Sequence, residues 1–307
     1  MIGRLLNVLN LVLLTSILLV VLVISSLYIW LNQDLPQLPQ NLQHINLSLP
    51  TEIYSSDGER IKILGERHPI ALEDISHFFT KAIIGVEDSR FYGHSGIDHR
   101  GLVRALWTNF RQKRIAQGGS TITQQLSKNL FFSFERNWVR KIKELLIAFQ
   151  LEATFNKEQI LQAYCNQIYF GSGAYGVEEA AQIYFGKRAK DLTLLQAALL
   201  AGLPNSPNNA NPFSHYERAM QRTNYVLDRM VSENLISMNE KELAQQSSLD
   251  LTNPRVDSNP NLYFVDQVLE QIEKSYGKEF VHFGGLKIFT TLDTRYQKFA
   301  FKSARNH

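Results

Sequence analysis

The hydrophobic and polar positions along the chain set an aliphatic N-terminal segment apart from the rest. No charged residue occurs from Leu5 to Leu31, and Leu11 to Val23 is almost purely aliphatic. About 20 apolar residues span a bilayer core, so we predict a transmembrane helix over residues 5–31. The alternative is a cleaved signal peptide, but its apolar region is shorter, roughly 7 to 15 residues, and ends in a small-residue cleavage site that the segment lacks.

The residues on either side of this segment predict its orientation. Arg4 and the amino terminus precede it and Asp34 follows it. The positive-inside rule therefore places residues 1–4 in the cytoplasm and everything from residue 34 onward outside the cytoplasmic membrane. Prolines recur in residues 32–50, which predicts an extended spacer.

After the spacer, the pattern predicts a short hairpin and then a mainly α-helical domain. Two β-like runs surround Asp57-Gly58, a dipeptide typical of two-residue hairpin turns. From residue 72 to about residue 238 the apolar positions follow helical spacing. We assign residues 51–240 to this domain and residues 241–307 to a further segment. Two more helices are predicted over residues 216–234 and 262–276.

Local sequence signals define the ends of two helices inside the domain. Each begins with an N-cap residue whose partner, three positions later, is a glutamine. These pairs are Asn156 with Gln159 and Thr193 with Gln196. We expect Gly171 to close the first helix and Gly202 to close the second.

The last strong pattern is GGLKIFTTLD, residues 284–293, which predicts a strand rich in β-branched and aromatic residues. A lone strand has no partner unless it meets the early hairpin. We interpret this segment as the start of a module that is not completed here.

Composition narrows the class of protein only slightly. The 307 residues are 44% hydrophobic and 20% charged, which is ordinary for a globular protein, and the net charge is +3. That balance gives no argument for nucleic-acid binding and suits an anionic membrane surface. The single cysteine, Cys165, excludes an intramolecular disulfide and is predicted to be a buried, inert thiol.

The stretch GGSTITQQLSKN, residues 118–129, is rich in hydroxyl, amide and glycine residues. Ile122 and Leu126 lie one turn apart, and we expect Ser120 to cap a short helix entered from the glycine turn. Such a helix can bind an oxygen-rich ligand such as a phosphate or a sugar. The alternative is a solvated surface helix.

Two glutamates are candidates for chemistry. Glu87 follows an apolar helical face and precedes glycines, a position in which a carboxyl pKa can be raised toward the value that a general acid or base needs; the alternative is a surface acidic pair. Asp88 points about 100° away on a helix, so at most one of the two enters a given pocket. Arg140 and Glu144 lie four residues apart, either as an exposed ion pair or at a pocket rim.

Histidines suggest a metal centre only superficially. His94, Asp98 and His99 lie among glycines that break any helical register, so we predict no metal site and a structural hydrogen bond for His94. Residues 99–114 combine four arginines and a lysine with an apolar face, which is typical of a helix lying on anionic lipid. A nucleic-acid patch is the alternative there, and the predicted anchor argues against it.

Taken in order, five blocks resemble the peptidoglycan glycosyltransferases, which comprise the glycan-polymerising domain of class A penicillin-binding proteins and the monofunctional transglycosylases. The resemblance runs from about residue 53 to residue 212. The blocks are EDSRFYGHSGID, GGSTITQQLSKN, RKIKE, KEQILQAYCNQIYFGSGAYGVEEAAQIYFGK and LLQAALLAGLPNSPNNANP. Small departures are Cys165 where leucine is usual, Gln196 where glutamate is usual, and a looser NSPNNANP loop.

The resemblance implies a mainly α, lysozyme-like domain beside the outer face of the bacterial inner membrane. It implies polymerisation of lipid II onto a growing glycan strand, with inversion and release of undecaprenyl pyrophosphate. It requires no cofactor and leaves open a divalent cation at the pyrophosphate. Other cell-wall synthesis proteins are conceivable partners, and nucleic acid is not.

By the same likeness, Glu87 is the catalytic base and Glu144 the second catalytic glutamate, which assists at the donor site. Lys128 and Arg140 match the residues that hold the pyrophosphate. Polar positions of the donor cleft and its supporting helix are Ser120, Thr121, Gln125, Asn129, Tyr164 and Asn166. Residues 275–278 match the spelling of a transpeptidase SxxK motif, but no KTG follows, so no transpeptidase activity is expected from this chain.

Two other functions remain open at this point. A lysozyme-like hydrolase uses one acid/base glutamate in a helical cleft, but it does not need phosphate-binding basic residues or a membrane-lying segment. A non-catalytic membrane-tethered scaffold has no evident reason to retain Glu87, Lys128, Arg140 and Glu144 together.

Overall fold

The computed structural model describes most of the chain. The described residues are 2–33, 35–42, 50–65, 67–112, 119–132, 138–207, 209–252, 261–277, 281 and 285–305. Helices dominate, and a three-stranded sheet is the β element. The prediction of a mainly α protein with a small β element is therefore confirmed. Whether the domain is lysozyme-like, and where its boundaries lie, stay predictions.

Twelve helices are defined within the described residues. They are α1 (Ile2–Gln33), α2 (His77–Glu87), α3 (His99–Gln112), α4 (Ile122–Phe131), α5 (Trp138–Thr154), α6 (Lys157–Gln167), α7 (Val177–Phe185), α8 (Leu194–Gly202), α9 (Tyr216–Ser232), α10 (Met238–Gln246), α11 (Leu262–Tyr276) and α12 (Thr294–Arg305). Among the described residues, none of these helices has both the length and the apolar character needed to cross a bilayer. The transmembrane helix over residues 5–31 thus stays a prediction.

The predicted hairpin is present. Strands β1 (Thr51–Tyr54) and β2 (Arg60–Leu64) pair in antiparallel register around a turn in which Gly58 has φ +82°. Strand β3 (Lys287–Phe289) joins the other edge of β1 in parallel. The C-terminal strand therefore pairs with the early hairpin, which was the partner considered for it from the sequence.

Two hydrophobic clusters hold these elements. The larger one lies among α2 and α4 to α10, where α8 is buried along its whole length and packs between α2 and α9. Cys165 is buried in it, as predicted. The smaller cluster joins the sheet to α11 through Ile53, Leu64, Val265 and Leu269. The cavity described below is built on the larger cluster.

The predicted starts of α6 and α8 are confirmed, because both predicted residue pairs form reciprocal capping boxes. The predicted end of α6 is wrong. The helix stops at Gln167, and residues 168–176 fold back so that Tyr169 bridges Tyr175 and Gly176 N–H donates to the Ile168 carbonyl. Gly171, with φ +85°, lies in the turn of this loop and caps no helix.

Helix α9 also ends earlier than predicted, at Ser232. Asn234 adopts a left-handed conformation with φ +56°, and Leu235 N–H turns back to the Met230 carbonyl. The end of α8 at Gly202 is as predicted.

Candidate active site

A cavity of about 560 Å³ opens where the end of α2 meets α3, α4, α9 and the loop after α8. Its described lining residues include four basic and three acidic side chains. These are Arg104, Lys128, Arg222 and Arg229, with Glu87, Asp88 and Asp98. A polar cavity of this charge suits a ligand that carries both hydroxyl and anionic groups.

Glu87 is the last residue of α2 and lines this cavity. Its Oε2 accepts a hydrogen bond from Gln125 Nε2 at 2.9 Å, and its Oε1 accepts one from Asn205 Nδ2 at 2.6 Å. Burial raises the pKa of the Glu87 carboxyl, the neighbouring Asp88 charge raises it further, and the Gln125 hydrogen bond and the Arg222 charge oppose the rise. A carboxylate in this setting can take a proton near neutral pH.

Gln125 is held in place from behind by Tyr164. The Tyr164 hydroxyl donates to Gln125 Oε1 at 3.1 Å, and the tyrosine ring is fully buried in the main core. Burial keeps the pKa of Tyr164 well above its usual value, so the phenol stays protonated and remains a donor. The donation orients the amide so that its NH₂ group faces Glu87.

Asp88 also lines the cavity, so the expectation that at most one of the two carboxylates enters a given pocket is wrong. Its oxygens are nevertheless bonded toward the start of α4. One of its oxygens accepts the Ile122 backbone N–H at 3.1 Å, and His94 Nε2 lies 2.9 Å from the other. Both side chains are almost completely buried. His94 is thus a hydrogen-bonded structural residue, as predicted, and Asp88 ties the end of α2 to the first turn of α4.

The N-cap of α4 is Thr121, and the expectation that Ser120 caps this helix is wrong. Thr121 Oγ1 accepts the Gln124 N–H at 3.2 Å and donates to the Gly96 carbonyl at 2.7 Å. Thr121 is buried by the α2–α3 loop, whereas Ser120 faces the cavity. The stretch predicted to bind an oxygen-rich ligand therefore does form a capped helix, whose residues Gln125 and Lys128 line the cavity together with Ser120 and Thr121.

Glu144, on α5, is buried next to α4. Arg140 Nη1 lies 2.9 Å from one of its oxygens, and Lys141 Nζ lies 3.2 Å from the other. Lys141 also donates to Ser120 Oγ at 3.3 Å. The ion pair predicted from the spacing of Arg140 and Glu144 is present, and the exposed form of it is excluded because only 2% of the Glu144 side chain is exposed.

The predicted site residues therefore fall into two groups. Five of them line the cavity, namely Glu87, Ser120, Thr121, Gln125 and Lys128, and Tyr164 reaches it through Gln125. Among the described lining residues, Glu144, Arg140, Asn129 and Asn166 do not occur. Asn129 is exposed, and the Asn166 amide is bonded to the Ile70 backbone through both of its polar atoms.

Several lining residues were not predicted, four of them in the loop after α8 and on α9. Asn205 bonds to Glu87 from the loop after α8, and Arg222, Tyr225 and Arg229 lie along one side of α9. The spacing of these three residues, three and then four positions apart, places them on one helical face, and that pattern was available in the sequence. Nothing in the sequence near Asn205 indicates its partner, which lies 118 residues away.

Among the described residues, no group of three or more acidic, histidine or cysteine side chains is arranged to hold an ion. Both oxygens of Glu144 already face cationic side chains, so this carboxylate does not fit a cation ligand.

Comparison with known proteins identifies the family. Residues 57–231 match the family model for the transglycosylases. Penicillin-binding protein 1A of Aquifex aeolicus is 45% identical over 273 residues, covering 88% of this chain and 37% of that protein. Penicillin-binding protein 1A of Vibrio cholerae is 38% identical over 297 residues, covering 96% and 36%. The chain thus spans about a third of the length of these relatives.

Among solved structures, the crystal structure of penicillin-binding protein 1A from Haemophilus influenzae matches with a TM-score of 0.44 at 27% identity. That match covers 85% of this chain and 29% of the other.

Proposed function

The chain belongs to the transglycosylase family, and from that premise we propose that it polymerises lipid II into peptidoglycan glycan strands. The transfer is an inverting one that releases undecaprenyl pyrophosphate. The relatives named penicillin-binding protein 1A support a role in peptidoglycan synthesis. The single observation that carries the proposal is the half-buried Glu87 carboxylate, held by two amide donors at the wall of a cavity with four basic side chains.

Glu87 acts as the general base. Its carboxylate accepts the proton of the acceptor sugar 4-hydroxyl, and the oxygen of that hydroxyl forms a bond to the anomeric carbon of the donor. The bond from that carbon to the pyrophosphate oxygen breaks, and its electron pair leaves with undecaprenyl pyrophosphate. The raised pKa of Glu87 matches this task, because a carboxyl of ordinary pKa is a poor proton acceptor for an alcohol.

Lys128 stabilises the leaving group. It lines the cavity on α4, one helical turn beyond Gln125, and presents a positive charge where negative charge builds on the pyrophosphate. Arg140 and Glu144 do not line the cavity and act on the residues that do. The Glu144 carboxylate holds Lys141 against Ser120, which keeps the donor side of the cavity in shape.

We further propose that α1 and α3 hold the cavity at the outer face of the inner membrane. Leu11 to Val23 of α1 carry exposed aliphatic side chains, and α3 exposes Val103 and Trp107 beside its arginines. Exposed apolar side chains next to basic ones favour contact with anionic lipid. A lipid-linked substrate would then reach the cavity without leaving the membrane surface.

The test is polymerisation of labelled lipid II by the purified chain in detergent, compared with Glu87→Gln. The isosteric amide keeps the shape of the site but accepts no proton, so the rate should fall by roughly 10²- to 10⁴-fold. Glu73→Gln is the matched control, because Glu73 is an exposed glutamate outside the cavity, and it should polymerise at the normal rate.

Three results would contradict the proposal. Equal polymer from Glu87→Gln removes the general base. Cleavage of finished glycan strands in place of polymer identifies a hydrolase. The absence of any reaction by the unmodified chain identifies a scaffold.

A further inference from the structure

The two amides that hold Glu87 are anchored very differently. Gln125 is fixed from behind by the Tyr164 hydroxyl, and Tyr164 is fully buried. Asn205 is exposed, and among the described residues Glu87 is the partner recorded for its side chain. One oxygen of the carboxylate is therefore bonded to a rigid donor and the other to a donor that faces water.

This difference decides which oxygen can act as the base. A general base needs a carboxylate oxygen within hydrogen-bond reach of the hydroxyl that loses its proton. Moving Gln125 away from Oε2 would also leave the buried Tyr164 hydroxyl without its acceptor, and an unsatisfied buried donor is costly. Releasing Asn205 from Oε1 is cheap, because the exposed amide regains its hydrogen bonds from water.

The backbone under Asn205 does not have to move for this exchange. Ser206 N–H donates to the Leu203 carbonyl at 2.9 Å, which holds the loop in a tight turn. On the other side, a Cβ added at Gly171 would lie 2.7 Å from the Pro207 carbonyl oxygen, so the loop packs directly against glycine backbone. Rotation of the Asn205 side chain is sufficient.

We propose that Asn205 is a removable clamp: it holds Oε1 of Glu87 in the free enzyme and yields that oxygen to the acceptor hydroxyl. The inference rests on the proposed function of Glu87 as the base. Asn205 is thus a positioning residue that selects Oε1 as the proton acceptor and keeps Oε2 bonded to Gln125.

The clamp also makes the strength of the base depend on the acceptor. A hydrogen bond donated to a carboxylate stabilises its charged form and lowers its pKa. When Asn205 leaves, that stabilisation is lost, and Glu87 becomes a stronger base at the moment when the hydroxyl arrives. The other charged and titratable groups around the carboxylate stay in place during this exchange. They are Asp88 next to Glu87, Asp98 and Arg104 on the α3 side, Lys128 on α4, Tyr164 on α6, and Arg222, Tyr225 and Arg229 on α9.

The experiment compares the full chain with Asn205→Ala by two measurements. The first is titration of the Glu87 carboxyl by ¹³C NMR in detergent, assigned by its absence from Glu87→Gln. The second is the acidic limb of the kcat/KM profile for lipid II. Both should move to higher pH by roughly half a unit to one unit, because the variant loses a hydrogen bond to the charged form. Asn205→Asp should move them further, since a second negative charge opposes ionisation of Glu87.

Asn209→Ala is the matched control, because it removes an exposed amide from the same loop outside the cavity lining, and it should leave both values unchanged. An unmoved Glu87 titration in Asn205→Ala would overturn the clamp. So would a uniform loss of rate at every pH with no shift of the limb, which is the mark of a merely structural residue. The titration decides the matter even if the chain makes no polymer, so failure of the clamp and failure of the proposed function are distinguishable.

Discussion

At the scale of single residues, the site depends on hydroxyl and amide groups that each serve two partners. Thr121 caps α4 and also bonds to the Gly96 carbonyl, and Gln125 bridges Tyr164 to Glu87. Because each group joins two elements, its loss moves more than one of them. The setting of Glu87 is therefore sensitive to residues that do not contact it directly, such as Thr121 and Tyr164.

Thr121→Ala tests this dependence. The variant loses the N-cap of α4, so the free energy of unfolding should fall by about 1 kcal/mol, with polymerisation reduced as well because α4 carries Gln125 and Lys128. Thermal unfolding followed by circular dichroism measures the change. Thr121→Ser keeps the hydroxyl and should stay close to the unmodified protein, whereas equal destabilisation by both variants would deny the capping role.

Contacts between residues close in sequence could be predicted, whereas contacts between distant residues could not. The capping pairs at Asn156 and Thr193 were found because both partners lie within four residues of each other. Ser120 was mistaken for the cap because Ser and Thr are nearly equivalent there, and burial beneath the α2–α3 loop makes the choice. Asn205 could not be found, because its partnership with Glu87 exists only after α8 and α2 pack together.

At the scale of elements, helix existence was predicted well and helix ends less well. Residues 168–170 were expected to complete α6, with Gly171 closing it, since their aromatic residues fit an apolar pattern. The bridge between Tyr169 and Tyr175 competes with the helix and wins, because the intervening glycines adopt positive φ angles at low cost. The burial of Glu144 was likewise invisible in the helical spacing of α5, because α4 covers it.

The proposed membrane insertion of α1 can be tested by extraction. If its aliphatic segment lies in lipid, the full chain should resist extraction of membranes with alkaline carbonate. Leu14 and Leu18 are exposed aliphatic residues on α1, and a double substitution to Asp should release the chain, since each charge costs roughly 2.5 to 3.5 kcal/mol in a bilayer core.

The matched control is the double substitution of the same residues to Ala, which keeps the segment apolar and should leave the chain in the membrane fraction. Quantitative blotting of the pellet and supernatant provides the readout. Complete release of the unmodified chain by carbonate would contradict the proposed membrane insertion.

At the scale of the whole molecule, two separate hydrophobic clusters imply two regions that can be destabilised independently. The cavity rests on the larger cluster, and the sheet with α11 rests on the smaller one. Ile53 is fully buried in the smaller cluster, so Ile53→Ala should destabilise that region by about 2 to 5 kcal/mol. Amide hydrogen exchange should accelerate in β1, β3 and α11 and stay slow around Tyr164.

Leu200→Ala is the matching change in the larger cluster, where α8 packs between α2 and α9. It should accelerate exchange around the cavity helices and reduce polymerisation, whereas Ile53→Ala should leave polymerisation largely intact. Loss of activity in Ile53→Ala with exchange unchanged near the cavity would contradict the separation of the two clusters.

The parallel pairing of β1 with β3 has a mechanical consequence. Tyr54 lies beside Phe289, and backbone hydrogen bonds of 2.8 Å join Glu52 to Leu286 and Tyr54 to Thr290. A pull on the chain before β1 and after β3 would load these strands in shear, along their length. The tension would then pass directly between the two strands, and the cavity helices that lie between them in the sequence would carry almost none of it.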